Sequence, residues 1–133
     1  MTNAKPLATA GRVLIAGLFL FSGVGKLAAP DATIGYIAAA GLPLPTLAFA
    51  GAVALELIGA ALLVIGYRVQ LVAALLAGFS VVAAIGFHAD FADQNQLIHF
   101  LKNIAIAGGL LQIVALDAAR VVAAGQRSPA VLA

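Results

Sequence analysis

Glu56 stands in the middle of an apolar stretch, 46–66, with Gly59 and Ala60 one turn further along the same helical face. An ionised side chain at bilayer depth costs at least about 2.5–3.5 kcal/mol on insertion scales. A charged Glu56 therefore needs a cationic partner or water; otherwise it stays neutral and hydrogen-bonds a neighbouring helix as packing glue. A second polar set is His99, Lys102 and Asn103, whose spacing of i, i+3, i+4 puts them on one face of a helix. His88 and Asp90 close the preceding apolar run, and Lys26 closes the first. Together Lys26, His88, Asp90, His99, Lys102 and Asn103 would form a polar pocket roofed by loop 88–96, with Glu56 as its floor. Carboxylate and imidazole groups accept protons there, while imidazole, ammonium and amide groups donate hydrogen bonds to a ligand oxygen.

Blander roles compete for each residue. Lys102 can snorkel to the surface, and either histidine taken alone fits an interfacial or hydrogen-bonded position. Arg12 lies about two turns into the first apolar run, where snorkelling to phospholipid headgroups accounts for it. It also shares a helical face with Lys26, with Phe19 and Gly23 between them, which allows an inward-facing arginine paired with a carboxylate. Gln112 is half a turn away from Asn103, so the two do not both sit centrally in one pocket.

The elements that must position these groups follow from composition. Of 133 residues, 64% are hydrophobic and 9% charged, whereas a soluble domain needs about a quarter charged to cover its surface. A water-soluble globule is excluded, and so is intrinsic disorder, which is poor in apolar residues. Seven Lys and Arg against five Asp and Glu leave a net charge of +2, with no basic patch to track phosphates, so nucleic acid is not an expected partner. The absence of cysteine removes disulfides, thiolate metal sites and CxxC redox chemistry.

A bilayer core of about 30 Å needs roughly 20 apolar residues per helical crossing. Four runs qualify, at 7–27, 46–66, 69–87 and 97–116. Between the first two, 31–40 reads as a short helix with Pro30 before it and Gly41 as its stop, an interfacial or re-entrant segment too short to span. The expected fold is an all-α membrane protein: a single four-transmembrane-helix bundle over 1–133, without internal repeats. Ala and Gly throughout the spans allow close helix contact. Lys5, Arg12, Arg68, Arg120 and Arg127 fall on one side, and Lys26 and Lys102 on the other with Asp31, Asp90 and Asp93. The positive-inside rule then places both termini in the cytoplasm. The first span also has the basic start of a cleaved signal peptide, but Lys26 and Pro30 stand where a small neutral cleavage region belongs.

The order and spacing of these residues resemble the DoxX family of small bacterial inner-membrane proteins. The resemblance rests on Arg12 with Phe19-Leu20-Phe21-Ser22-Gly23-Val24-Gly25-Lys26-Leu27 and Pro30, then Gly41-Leu42-Pro43, Glu56 with Gly59, and Gly66 with Arg68. Phe87-His88, Asp90, His99-Phe100-Leu101-Lys102-Asn103 and Gly108-Gly109-Leu110-Leu111 extend it, so that it covers 11–116. It implies four membrane helices and a redox setting, because relatives called DoxD and DoxA form a thiosulfate:quinone oxidoreductase. Other DoxX relatives associate with thiol-sulfur and superoxide-detoxifying enzymes in membrane complexes.

Two functions from different classes are expected on this basis. In the first, the chain is a quinone- or quinol-binding subunit coupled to a partner oxidoreductase, as one chain or as a homo-oligomer. Glu56 and His99 would handle protons, with His88, Lys102, Asn103, Lys26 and Arg12 holding the ligand. Phe19, Phe79 and Phe87 would flank its ring. In the second, the chain is a non-catalytic membrane anchor or assembly factor for a soluble redox or detoxifying enzyme, and the polar set is structural. Two histidines without Cys or Met ligands are thin support for a haem or metal site, and neither is expected. Four short helices leave little room for alternating access, which disfavours a transporter.

Overall fold

The computed structural model describes residues 4–126 as five α-helices, with no strand among them. They are α1 (Ala4–Ala28), α2 (Pro30–Ala39), α3 (Pro45–Ile65), α4 (Val69–Phe87) and α5 (Gln94–Gln126). Helices α1, α3, α4 and α5 are each long and apolar enough to cross a membrane. Arg127, assigned above to the side of the termini, lies outside the described residues.

The helix boundaries are set by residues with restricted or unusual backbone geometry. Proline begins both α2 and α3, where its fixed φ suits the first helical turn and its missing N–H costs no bond. Gly66 ends α3 with φ +78°, and the amides of Gly66 and Tyr67 both donate to the Leu62 carbonyl at 3.0 Å. This left-handed cap lets α4 start only three residues later. A Cβ at position 66 would be strained by its φ and would lie 3.2 Å from Arg12 Nη1. Gly66→Ala is therefore expected to cost about 1–2 kcal/mol, measured as a lowered Tm in detergent. At the other end of the bundle, Asp93 Oδ1 accepts from the Gln96 amide at 3.0 Å and caps α5.

Helix α5 exceeds the expected crossing. Its 33 residues reach about 50 Å, against a hydrocarbon core of about 30 Å. The apolar run ends near Leu116, but the alanine-rich segment that follows keeps a high helix propensity, so the helix continues past the membrane face.

Helix α1 packs mainly on α3, and α4 mainly on α5; α3 and α4 join the two pairs, and α2 lies against α3. The core is built largely from small residues, including Ala16, Ala60, Ala73, Ala77 and Ala107, around Phe19, Leu63, Leu76 and Leu110. Close backbone approach is what a membrane bundle needs, because lipid is as apolar as leucine and van der Waals contact drives association. Leu14, Phe21, Ile65 and Ile85 point outward and are more than 60% exposed, an arrangement suited to lipid and unfavourable in water. Helices α1 and α5 touch only lightly. A Cβ at Gly109 on α5 would sit 3.4 Å from Ile15 Cδ1 on α1, and a cavity opens between the two helices on each side of that contact.

Candidate functional site

The cavity on the Lys26 side has a volume of about 720 Å³ and takes lining residues from all five helices. Its central polar feature joins α1 to α3. Lys26 Nζ lies 2.9 Å from both carboxylate oxygens of Glu56. It also donates to Ser22 Oγ at 2.7 Å, and the Ser22 hydroxyl donates to Glu56 Oε1 at 2.9 Å. The three side chains close a triangle in which Ser22 both accepts and donates, as a hydroxyl can. Glu56 is 2% exposed, whereas the Lys26 side chain keeps 25% exposure. Lys26 approaches Oε2 within ion-pair distance but not along a hydrogen-bond direction, so this oxygen has no donor within the described residues.

The sequence explains why this pair meets. Phe19, Ser22, Gly23 and Lys26 follow helical spacing on one stripe of α1, and Gly23 removes the side chain that would hold α3 away. A Cβ at Gly23 would lie 2.7 Å from Leu57 Cδ2 and 3.3 Å from Glu56 Cβ. The buried stripe of α3, Val53, Glu56, Gly59, Ala60 and Leu63, places the carboxylate toward the bundle interior. Of the possibilities open at the sequence level for Glu56, the structure supplies the cationic partner.

The opposite wall comes from α4 and α5. The rings of His88 and His99 stack with centroids 5.0 Å apart and an interplanar angle of 27°. His88 Nδ1 is 3.0 Å from Gln96 Oε1. An amide oxygen only accepts, so Nδ1 donates here, and in a neutral ring Nε2 is then the acceptor. His99, Lys102 and Asn103 all line the cavity from one face of α5, as their spacing predicts. Asn103 Nδ2 donates to the His99 carbonyl of its own helix at 3.0 Å, which uses part of its donor capacity. Phe19, Phe79 and Phe87 also line the cavity. Tyr36 of α2 stacks on Phe87 with centroids 5.1 Å apart and closes that side.

Two expected members are elsewhere. Asp90 does not line the cavity; its Oδ1 accepts from the Ala92 amide at 3.2 Å and shapes the turn into α5. Arg12 lies on the stripe that carries Lys26, but 14 residues of helix separate them by about 21 Å. It lines the second cavity, at the end of the bundle that holds the α3–α4 turn, and no carboxylate pairs with it among the described residues. Gln112 also faces that second cavity, apart from Asn103 as expected. Ser22 and Tyr36 were not anticipated. Ser22 carried a usable signal, one turn before Lys26 on the same stripe. The orientation of Tyr36 did not, because α2 is apolar on most of its surface.

Residues 7–89 match the family model described as DoxX. That span takes in Arg12, Ser22, Lys26, Glu56 and His88, and stops short of the α5 residues. The chain is 33% identical over 103 residues to the inner membrane protein YqjF of Escherichia coli (strain K12), covering 75% of each chain. It is 34% identical over 115 residues to the inner membrane protein YphA of the same organism, covering 81% of each. No solved structure matches it significantly.

Proposed function

The chain belongs to the DoxX family and is a multi-pass inner-membrane protein; on that premise, we propose that it binds a quinone or quinol in the Lys26–Glu56 cavity and works with a partner oxidoreductase. The observation that carries the reading is the cavity's make-up: about 720 Å³, mostly apolar, with a part-buried ion pair on one wall and a histidine pair on the other. Small-molecule sites commonly have volumes of about 300–1,000 Å³ and only a few convergent polar groups. By the positive-inside rule the termini and Arg68 face the cytoplasm, and this cavity opens toward the outer leaflet.

A bound quinone supplies the electron-accepting ring, and its reduction takes up two electrons and two protons. The partner oxidoreductase supplies the electrons; the side chains of this protein bind, orient and handle protons. Phe19, Phe79 and Phe87 flank the ring, His99 and Lys102 donate to a carbonyl oxygen, and Glu56 Oε2 accepts from a hydroxyl of the reduced form. A proton entering from the outer side and held on Glu56 before passing to the reduced ring weakens the carboxylate's hold on Lys26, whose quarter-exposed ammonium is then free to turn toward the cavity.

The test is purification in mild detergent followed by extraction and quantification of lipid-soluble molecules. About one quinone per chain supports the reading; quinone-free protein that co-purifies with a soluble redox enzyme supports a role as membrane anchor instead. His99→Ala provides a second check, because His99 is exposed and its loss leaves the helix core untouched. Removal of one ligand hydrogen bond costs about 1–3 kcal/mol. Quinone affinity, measured by titration, is therefore expected to fall roughly tenfold with Tm unchanged. Wild-type affinity in this variant would remove His99 from the site.

A further inference from the structure

The second cavity, about 540 Å³ between the start of α1 and the end of α5, has no part in the quinone reading. Its walls are apolar along Leu7, Val69, Ile113 and Leu116. Arg12 and Arg120 stand at it, with Asp117, whose Oδ2 accepts from Gln70 Nε2 at 3.3 Å.

Arg12 reaches toward the N-terminal end of α1, as a snorkelling side chain does, but it is only partly exposed. Its guanidinium folds against the α3–α4 turn, with Nη1 within 3.2 Å of a Cβ position at Gly66 and Nη2 donating to Thr9 Oγ1 at 3.3 Å. Its Nε is buried and has no acceptor among the described residues. A guanidinium has five N–H donors in a fixed fork that suits a phosphate. Only one of them is matched here to another side chain. Arg120 donates to the Ala4 carbonyl at 3.5 Å, a long contact that leaves its remaining donors available.

We propose that this cavity is a specific binding site for one anionic phospholipid, with its phosphodiester on Arg12 and Arg120 and its glycerol and first acyl carbons against the apolar α1–α5 wall. Three independent features agree on that occupant. The α3–α4 turn that Arg12 abuts is only three residues long and marks the level where the chain leaves the hydrocarbon, which is where headgroup phosphates lie. Beside it the cavity wall is apolar along Leu7, Val69, Ile113 and Leu116, which suits a lipid's glycerol and first acyl carbons, and it closes about one turn past Arg12 at the Ile15–Gly109 contact. The two arginines outweigh Asp117, giving the site the positive character by which basic pockets between membrane helices select anionic headgroups. Open space beside Gly11, where a Cβ would meet nothing within 4 Å, leaves room for the bound lipid at this level.

The experiment uses the full chain, delipidated in detergent at physiological salt, and measures retained lipid by native mass spectrometry and Tm by thermal unfolding. Phosphatidylglycerol is expected to bind one per chain, at least tenfold more tightly than phosphatidylcholine with the same acyl chains, and to raise Tm. Arg12→Gln should abolish that preference. Gly11→Leu fills that space without touching a charge and should also lose the lipid, so the proposal stays testable if Arg12→Gln does not fold. Lys5→Gln, outside the cavity, should bind as wild type. Equal retention of the two lipids, an equal loss in Lys5→Gln, or full reproduction of the Tm rise by inorganic phosphate would each overturn the proposal.

Discussion

Lys26→Met is expected to destabilise the protein more than Glu56→Gln, although the two substitutions break the same ion pair. Removing one member of a buried pair costs about 3–5 kcal/mol when the remaining charge is left uncompensated. After Lys26→Met the charge left behind is on Glu56, which is 2% exposed and retains only the Ser22 hydroxyl as donor. After Glu56→Gln it is on Lys26, whose side chain is 25% exposed and can turn toward the mouth of the cavity, so the cost should fall to about 1–3 kcal/mol. The double variant Lys26→Met/Glu56→Gln leaves no orphaned charge and should recover most of the stability lost in Lys26→Met. Ligand affinity should not return, because the double variant lacks the carboxylate that faces the cavity. Unfolding and quinone titration of all four proteins in the same detergent separate these outcomes. If affinity recovers along with stability, the triangle is a helix clamp and Glu56 does not contact the ligand.

Much of this arrangement was legible in the sequence, and the exceptions share a physical cause. The spans were readable because bilayer thickness imposes a length on every crossing, and Glu56 stood out because polar groups are so scarce there. The i, i+3, i+4 spacing placed His99, Lys102 and Asn103 on one face of α5, and all three line one cavity. Arg12 shows the limit of such reasoning: a shared face fixes angle and says nothing of depth, and about 21 Å of helix rise put it in another cavity. Asp90 and Asn103 show a different limit. Short polar side chains hydrogen-bond nearby backbone readily, and each is engaged with its own turn or helix. The partner of Glu56 was undecidable from sequence because it depends on how closely α1 and α3 approach, and that distance is controlled by Gly23.

Gly23 is accordingly the position where a single added side chain should do the greatest damage. A Cβ there would lie 2.7 Å from Leu57 Cδ2, 2.9 Å from Leu57 Cγ and 3.3 Å from Glu56 Cβ. Alanine is expected to cost about 1–3 kcal/mol, since overpacking a close interface forces side chains off their rotamers or shifts the backbone. Leucine cannot be accommodated by Leu57 alone and should drive α1 from α3. The Lys26–Glu56 contact then fails as well, because Lys26 is one turn along the same stripe, and both stability and ligand binding go together. The second-site change Leu57→Ala removes the two atoms nearest the new Cβ. It should therefore restore Gly23→Ala to near its own single-variant stability, an interaction larger than the few tenths of a kcal/mol expected for independent sites. The contact with Glu56 Cβ remains in that double variant, so its ligand affinity should lag behind its stability. Additive costs of Gly23→Ala and Leu57→Ala would mean that the helices have room to part at this point. The close approach would then not be what holds the carboxylate against Lys26.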